Sequence, residues 1–150
     1  MRVVIQRVLS ASVDVEGKTI ASISKGLLLL CAFEASDNEQ DLTWMTGKIS
    51  RLRIFSDNEG KMNLSVMDID GDVLAVSQFT LYASTKKGNR PSFVRSAPPE
   101  IAARLFENFC KMLSASVGKN IQTGIFGADM KVKLINDGPV TIIIDSKNKE

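Results

Sequence analysis

The chain carries an uninterrupted apolar run at residues 27–33, Leu27-Leu28-Leu29-Leu30-Cys31-Ala32-Phe33, directly after a turn signal at Lys25-Gly26. A run of this length is far shorter than the roughly 20 apolar residues that a membrane-spanning helix needs. A short continuous run bounded by turn residues is typical of a β-strand buried on both faces. The sequence therefore predicts a sheet whose central strand is covered from both sides.

The residues before this run alternate as the strands of a half-buried hairpin do. Val13 and Val15 flank Asp14, and the turn signal Glu16-Gly17 precedes a return through residues 19–23. Alternation with a period of two indicates β-strands, so we predict a hairpin that leads into the buried strand.

Two amphipathic helices are predicted. The first begins near Asp37, which resembles a capping box with Gln40. The second begins at Pro98-Pro99-Glu100, since proline is tolerated in a first turn, and continues to Gly118. The apolar faces are Leu42, Met45, Ile49 and Leu52 in the first helix and Ala102, Leu105, Phe106, Phe109, Met112 and Leu113 in the second. The aromatic and methionine residues of the second face are predicted to be core and not a cofactor site.

Further strands are predicted at residues 52–55, 73–82 and 140–144, and a period-two pattern appears at residues 130–134. The elements do not follow a strict β-α-β alternation. The sequence therefore predicts a single compact α+β domain over residues 1–150. We expect a mainly antiparallel or mixed β-sheet, or a partial barrel, with two main helices and a flexible tail at residues 146–150.

The chain has no histidine. This excludes a Ser-His-Asp triad, a Cys-His pair, a histidine general base and every histidine metal site. The two cysteines, Cys31 and Cys110, lie far apart in sequence and are predicted to be reduced, buried thiols. No glycine-rich nucleotide motif or complete calcium loop is present, so we expect neither a metal nor a cofactor.

No segment resembles a signal peptide, because the opening Met1 to Arg7 is too short and too interrupted by polar residues. We therefore expect a cytoplasmic protein that has no membrane partner.

Charge is distributed unevenly along the chain. Nineteen basic and seventeen acidic residues give a net charge of only +2, which excludes a generic polyanion-coating protein. Residues 84–97 nevertheless form a basic loop without any acidic residue, whereas residues 34–41 are acidic. The basic loop suits a phosphate contact of limited extent, and a solvated loop is the alternative. The basic residues are Lys86, Lys87, Arg90 and Arg95, and the acidic ones are Glu34, Asp37, Glu39 and Asp41.

Two polar segments are candidates for chemistry. Asn136-Asp137-Gly138-Pro139 interrupts the last predicted strands, and its Gly-Pro bond can be cis, which would present a rigid pair of carbonyl acceptors. An ordinary hairpin turn is the alternative. Ser77-Gln78-Phe79-Thr80 lies at the end of an apolar strand, where backbone N–H groups can stabilise an oxyanion without a titratable side chain.

These segments together resemble one family, the D-aminoacyl-tRNA deacylases, over Met1 to about Asp145. Each motif is short, but their order and spacing along the chain are specific. The matching stretches are residues 1–8, 60–65 and 87–93, the signature motifs at 77–83 and 136–141, and residues 126–130 before the second signature. One departure is Cys31 to Asp37, where the family often carries glycines and a Gly-Asp pair.

The resemblance implies a homodimer whose active sites lie at the subunit interface. Gly138 and Pro139 would be the chiral selector of the opposite subunit's site, within the motif that begins at Asn136, and Arg7 would brace it. Their carbonyls would hold the amino group and exclude an L side chain, while a D side chain points away. Glycine has no side chain to exclude, so glycyl-tRNA is an expected second substrate.

The resemblance also implies the catalytic groups. Backbone N–H groups around Phe79 and Thr80 would bind the oxyanion, Ser77 and Gln78 would position the terminal adenosine, and the tRNA 2′-hydroxyl would assist water. A covalent role for Thr80 is the alternative mechanism. The basic loop Lys86, Lys87, Arg90 and Arg95 would bind the tRNA. A non-catalytic module that binds the tRNA acceptor end is the alternative function.

Overall fold

The computed structural model describes residues 1–150 and places the predicted buried strand at the middle of a mixed sheet. The strands are β1 (Arg2–Val15), β2 (Lys18–Ile23), β3 (Gly26–Ala32), β4 (Phe55–Ser56), β5 (Met62–Leu64), β6 (Asp72–Ser77), β7 (Gln122–Thr123) and β8 (Met130–Asp145). The helices are α1 (Glu39–Ser50) and α2 (Pro99–Val117), and a short 3₁₀ helix covers Phe79–Tyr82. Six strands form one sheet in the order β2-β1-β3-β6-β7, with β8 paired to β1, and β4 and β5 form a separate pair.

β3 confirms the prediction of a strand buried on both faces. It lies antiparallel to β1 and parallel to β6, and every residue except Leu30 is buried. Its parallel pairing starts at Gly26 opposite Asp72, where a Cβ would collide with the Asp72 carbonyl. A glycine is therefore required at the point where the two strands converge.

Alternate residues of β3 enter two separate cores. Leu27 and Leu29 belong to the larger cluster, where both helices pack, and Leu28 belongs to a smaller cluster with Leu74 and Val76. The smaller cluster is enclosed because the sheet curls until β2 contacts β6 and β7. The architecture is a nearly closed barrel with two helices, as the mixed-sheet or partial-barrel prediction stated.

The second helix confirms its predicted bounds. Pro98 and Pro99 begin it, and Gly118 ends it in the left-handed conformation with a φ of 76°. Its buried residues include Phe106 and Phe109, which make edge contacts with Phe33 at centroid distances of 6.4 and 6.3 Å. Neither helix combines the length and the hydropathy of a membrane-crossing segment.

The start of α1 is shifted by one residue from the prediction. Asn38, not Asp37, is the N-cap, and its side chain forms the capping box with Asp41. Leu52 lies beyond the helix, which ends at Ser50. Asp37 has another role, because its carboxylate accepts from the N-terminal ammonium of Met1.

Two predicted strands differ in length from the structure. The strand expected at residues 52–55 is reduced to the pair Phe55–Ser56, and the strand expected at residues 73–82 ends at Ser77. Beyond Ser77 the chain enters the 3₁₀ helix. The strand was predicted too long because the residues of this helix are also mostly apolar. Apolar content alone does not separate a strand from an apolar turn.

Buried charges join the beginning of β1 to the region after β8. The Met1 ammonium lies 2.5 Å from Asp37 Oδ1 and donates to Ser146 Oγ at 2.6 Å, and both side chains of the ion pair are fully buried. Residues 146–150, the expected tail, lie against α1: Lys147 Nζ donates to Asp41 at 2.6 Å, and Lys149 Nζ lies 4.7 Å from the centre of the Trp44 ring.

Replacing Asp37 with asparagine leaves the buried Met1 ammonium without a carboxylate. We expect Asp37→Asn to lower the free energy of unfolding by about 3 kcal/mol, because one charge of a buried pair is left uncompensated. Urea denaturation measures this. The control Glu39→Gln removes an exposed acid from the first turn of α1, and its expected cost is below about 1 kcal/mol. Equal losses in the two variants would contradict this role of the pair.

Candidate functional site

A cavity of about 640 Å³ opens where β3 and β6 end side by side. Residues from the two strand ends, 31–33 and 76–79, form one part of its lining. The rest comes from Phe93, from residues 96–99 and Ala102 around the start of α2, and from residues 126–130 and Val132 just before and within the start of β8. Most of the lining is apolar, with the polar groups of Ser77 and Gln78 at the strand end. A largely apolar cavity with a few convergent polar groups is typical of a small-ligand site.

The chain changes direction at Gln78. The backbone N–H of Gln78 donates to the Cys31 carbonyl at 2.7 Å, which continues the ladder between β3 and β6 by one residue. The 3₁₀ helix then begins, and Gln78 Nε2 donates to Thr80 Oγ1 at 2.5 Å. The fixed ladder thus determines where the following turn starts.

The first two amides of this turn are available as donors. A 3₁₀ hydrogen bond runs to the carbonyl three residues earlier, and here the first such bond is from Leu81 N to the Gln78 carbonyl at 3.2 Å. The helix therefore supplies no acceptor for the N–H groups of Phe79 and Thr80. Phe79 lines the cavity and is 56% exposed.

Aromatic side chains form two walls of the cavity. Phe79 and Phe93 make an edge contact with centroids 5.1 Å apart, and Ser96 Oγ donates to the Phe79 carbonyl at 2.9 Å. On another side, Phe126 lies 6.3 Å from Phe106 of α2. Phe93 was not predicted as a wall residue, because an apolar residue inside a basic loop carries no periodic signal.

The titratable groups of the cavity are few. Complete burial raises the pKa of the Cys31 thiol well above its ordinary value, with Cys110 adding to the shift, so Cys31 stays protonated and is a poor nucleophile. Both cysteines are free thiols. No group of three or more aspartate, glutamate or cysteine side chains is arranged to hold a metal ion.

The segment around Gly138 is a bulge in one continuous strand and not a hairpin turn. Gln6 pairs with Thr141 and Val8 with Asn136, so the four residues 137–140 lie opposite the single residue Arg7. The Gly138-Pro139 peptide bond is cis, and both residues are exposed. The expected break between two strands is therefore wrong, because β8 pairs with β1 on both sides of the bulge.

Two side chains hold the bulge in place. Arg7 is buried, and its Nε donates to the Asp137 carbonyl at 2.9 Å while its Nη1 donates to the Ile54 carbonyl at 2.7 Å. The Asn136 side chain crosses the base of the bulge: its Oδ1 accepts from Val140 N at 2.8 Å, and its Nδ2 donates to Thr141 Oγ1 at 3.1 Å. Both side chains act on backbone groups that the interrupted ladder leaves unpaired.

The structure separates the two signature motifs within one chain. Ser77, Gln78 and Phe79 line the cavity, whereas Gly138 and Pro139 do not. β8 joins the two regions, since Met130 and Val132 line the cavity. The same strand then exposes Leu134 and Ile135 before it reaches the bulge, at 37% and 57% of their surface.

The basic loop is closed by a short pairing between Ser84 and Ser92. Lys86, Lys87 and Arg90 are exposed on it and form no ion pair. Arg95 differs, because its Nη2 lies 3.6 Å from a Glu34 carboxylate oxygen and its guanidinium lies 5.3 Å from the centre of the Tyr82 ring. The structure thus divides the four predicted tRNA-binding residues into three that extend outward and one that contacts the protein itself.

Comparison with known proteins gives a consistent assignment. A family model described as D-Tyr-tRNA(Tyr) deacylase matches residues 4–145. The protein named D-aminoacyl-tRNA deacylase in Flavobacterium johnsoniae is 61% identical over 150 residues, which cover 100% of both chains. The protein of the same name in Bacteroides thetaiotaomicron is 57% identical over 150 residues, again with 100% of both chains covered.

Solved structures with the same fold include two with different names. A structure described as c-Myc DNA Unwinding Element Binding Protein has a TM-score of 0.92 and 41% identity, covering 97% of this chain and 98% of its own. A structure described as a probable eukaryotic D-amino acid tRNA deacylase has a TM-score of 0.81 over 95% of this chain and 97% of its own. At 20% identity, the second similarity shows the fold alone.

A methyl group at Gly138 has no room. Its φ is +130°, and an added Cβ would lie 2.9 Å from Arg7 Nη2 and 2.9 Å from Val140 Cγ2. We expect Gly138→Ala to lower the free energy of unfolding by about 3 kcal/mol, from backbone strain and displacement of Arg7. Thermal and urea denaturation measure this change.

Gly17 provides the matched control. Its φ is +77°, but nothing lies within 4 Å of an added Cβ. The cost of Gly17→Ala is therefore the backbone cost alone, about 1 kcal/mol. If both alanine variants lose the same stability, Arg7 and Val140 do not constrain Gly138.

Proposed function

The chain belongs to the D-Tyr-tRNA(Tyr) deacylase family and is a hydrolase of aminoacyl-tRNA esters, and from this premise we propose that it removes D-amino acids and glycine from tRNA by a backbone-based mechanism. The observation that carries the mechanism is the turn at Phe79–Tyr82, whose first two amides have no acceptor in the helix and whose first residue, Phe79, lines the cavity. The products are free amino acid and uncharged tRNA.

Backbone N–H groups of Phe79 and Thr80 supply the electrostatic stabilisation. Water adds to the ester carbonyl carbon, and the carbonyl oxygen that becomes negative accepts from these amides. The bond to the 3′ oxygen of the terminal adenosine then breaks, and the proton of the attacking water replaces the acyl group there. An aminoacyl ester is an activated substrate, so positioning and charge stabilisation suffice without a titrating base. The absence of histidine from the chain agrees with such a mechanism.

Residues at the end of β6 and the tRNA itself position the substrate. Ser77 and Gln78 line the cavity, and the side-chain amide of Gln78 donates to the Thr80 hydroxyl. We assign Ser77 and Gln78 to binding of the terminal adenosine of the tRNA. The 2′-hydroxyl of this adenosine assists the attacking water. Lys86, Lys87 and Arg90 are free to contact the phosphates of the acceptor stem, a sequence-independent interaction.

Two copies of the chain are needed to complete a site. Gly138 and Pro139 lie outside the cavity of their own chain, and the strand between them and the cavity exposes Leu134 and Ile135. Leu9, on β1 beside this region, is 50% exposed. Exposed large apolar residues beside an incomplete site favour burial against a second copy. In that homodimer, Gly138-Pro139 enters the cavity of the opposite subunit.

The rigid bulge at residues 137–140 discriminates between D- and L-aminoacyl substrates by steric exclusion of the L side chain. The carbonyls of Gly138 and Pro139 hold the amino group of the substrate, and this pose leaves no room for an L side chain at the α-carbon. A D side chain points away from the bulge, and glycine has none. Because Arg7 and Asn136 fix the bulge, it cannot retreat to admit an L residue, so selection does not depend on the identity of the D side chain.

The first test is hydrolysis of D-tyrosyl-tRNA, L-tyrosyl-tRNA and glycyl-tRNA by the purified protein, with a free D-tyrosyl ester as control for the tRNA requirement. We expect turnover of the D and glycyl substrates and a kcat/KM for the L form at least about 100-fold lower. Equal hydrolysis of the D and L forms would overturn the selector role of Gly138-Pro139. Binding of all three without hydrolysis would favour the alternative, a non-catalytic module for the tRNA acceptor end.

The second test separates water attack from a covalent role of Thr80. Thr80→Ala keeps the backbone N–H and removes only the hydroxyl, so we expect kcat to fall by less than about tenfold. Single-turnover assays with D-tyrosyl-tRNA measure this fall. Complete loss of turnover, with the dimer and tRNA binding intact, would instead support an acyl-enzyme formed on the Thr80 hydroxyl.

A further inference from the structure

The turn that carries the proposed oxyanion donors ends on a buried aromatic ring. Tyr82, its last residue, is only 1% exposed. Two guanidinium groups approach the ring: the Cζ of Arg2 lies 4.9 Å from its centroid and that of Arg95 lies 5.3 Å away. The ring itself is buried, while the side chain of Arg2 is 29% exposed and that of Arg95 is 56% exposed, so each contact is a partly solvated one of modest strength. Two cations from distant parts of the chain thus meet on the residue that ends the turn.

Arg2 fastens the end of the turn to the sheet. Its Nη1 donates to the Leu81 carbonyl at 2.8 Å, and its Nε and Nη2 donate to Asp145 Oδ2 at 3.1 and 2.9 Å. Asp145 is the last residue of β8 and Arg2 the first of β1. These bonds hold the guanidinium beside the Tyr82 ring and connect the turn to the two longest strands.

Arg95 fastens the same ring from the segment before α2. Its guanidinium is paired with Glu34, which follows β3, at 3.6 Å. The next two residues are also attached to the site, since Ser96 Oγ donates to the Phe79 carbonyl and Ala97 N donates to the Phe33 carbonyl at 2.8 Å. Arg95 therefore has two partners within the protein, unlike Lys86, Lys87 and Arg90.

We propose that Arg95 is a positioning residue for hydrolysis, acting through Tyr82 on the Phe79–Thr80 amides, and not a tRNA-affinity residue. This inference rests on the proposed function. It divides the basic loop by role: Lys86, Lys87 and Arg90 govern binding of the tRNA, and Arg95 governs the rate of the chemical step. A positioning role predicts an effect on kcat, because the oxyanion forms only as the reaction proceeds.

The Tyr82 ring, and not its hydroxyl, provides this contact. The hydroxyl is buried without a hydrogen-bond partner. Burial, followed by the nearby carboxylates of Asp37, Glu34 and Asp145, raises the pKa of Tyr82, so the hydroxyl stays neutral. Phenylalanine at this position therefore preserves the arginine contacts, whereas leucine removes them.

The experiment measures kcat and KM for D-tyrosyl-tRNA at several salt concentrations, first in the unaltered dimer and then in variants. We expect Arg95→Gln to lower kcat by about three- to tenfold with KM and its salt dependence unchanged, and Arg95→Lys, which keeps a cation, to recover most of the loss. The matched control Lys87→Gln acts on KM, and it reduces the salt slope of binding by about one.

Substitutions of Tyr82 test the same contact by changing the ring instead of the arginine. Tyr82→Leu lowers kcat as Arg95→Gln does, and Tyr82→Phe recovers activity relative to Tyr82→Leu. Thermal unfolding identifies any variant that fails to fold, and the exposed Arg95 substitutions then decide the question. An Arg95→Gln variant that raises KM and reduces the salt slope, with kcat unchanged, overturns the proposal, as does a Tyr82→Phe variant no better than Tyr82→Leu. Lack of hydrolysis by the unaltered protein would instead contradict the proposed function itself.

Discussion

The requirement that β3 be covered on both faces determines most of this structure. Its alternate residues enter two cores, so two helices must pack on one side and the sheet must curl over the other. The same strand sets the position of the site. Its last ladder bond, from Gln78 N to the Cys31 carbonyl, fixes the point at which the chain leaves β6 and begins the turn. The site is therefore built on the most deeply buried element of the fold, where small displacements are opposed by close packing.

The second constraint is the interrupted pairing between β1 and β8. Four residues opposite one cannot continue a ladder, and their backbone groups need other partners. Arg7 and Asn136 provide them, and Arg7 also reaches the Ile54 carbonyl behind the strand. An exposed loop of four residues would ordinarily be mobile. Here it is held by Arg7 and Asn136, which gives an outward-facing segment the rigidity that the proposed selection by exclusion needs.

Sequence patterns predicted the elements whose burial follows a single period. The hairpin at residues 13–23 and the helix that ends at Gly118 are of this kind, since one face of each meets the core. The run at residues 27–33 was equally predictable, because a strand buried on both faces has no polar position. The patterns failed where a contact between distant residues decides the outcome. Asp37 has the composition of a helix cap but pairs with Met1, and the bulge at Gly138 has the composition of a turn but continues a strand. Arg95 belongs to a basic loop by sequence, and only the fold brings it to Tyr82.

These observations explain how a chain without histidine can carry a hydrolytic site. A histidine site places its reactive atoms on a side chain, which can be oriented by one or two hydrogen bonds. In the proposed mechanism the working groups belong to the backbone, and a backbone group can be oriented only by fixing the segment that contains it. The polar side chains near both motifs accordingly bind the protein's own carbonyls and amides: Arg2 at Leu81, Arg7 at Asp137, Ser96 at Phe79 and Asn136 at Val140. Catalysis by preorganised dipoles requires such scaffolding, because a donor that must first be reoriented loses much of its stabilising effect.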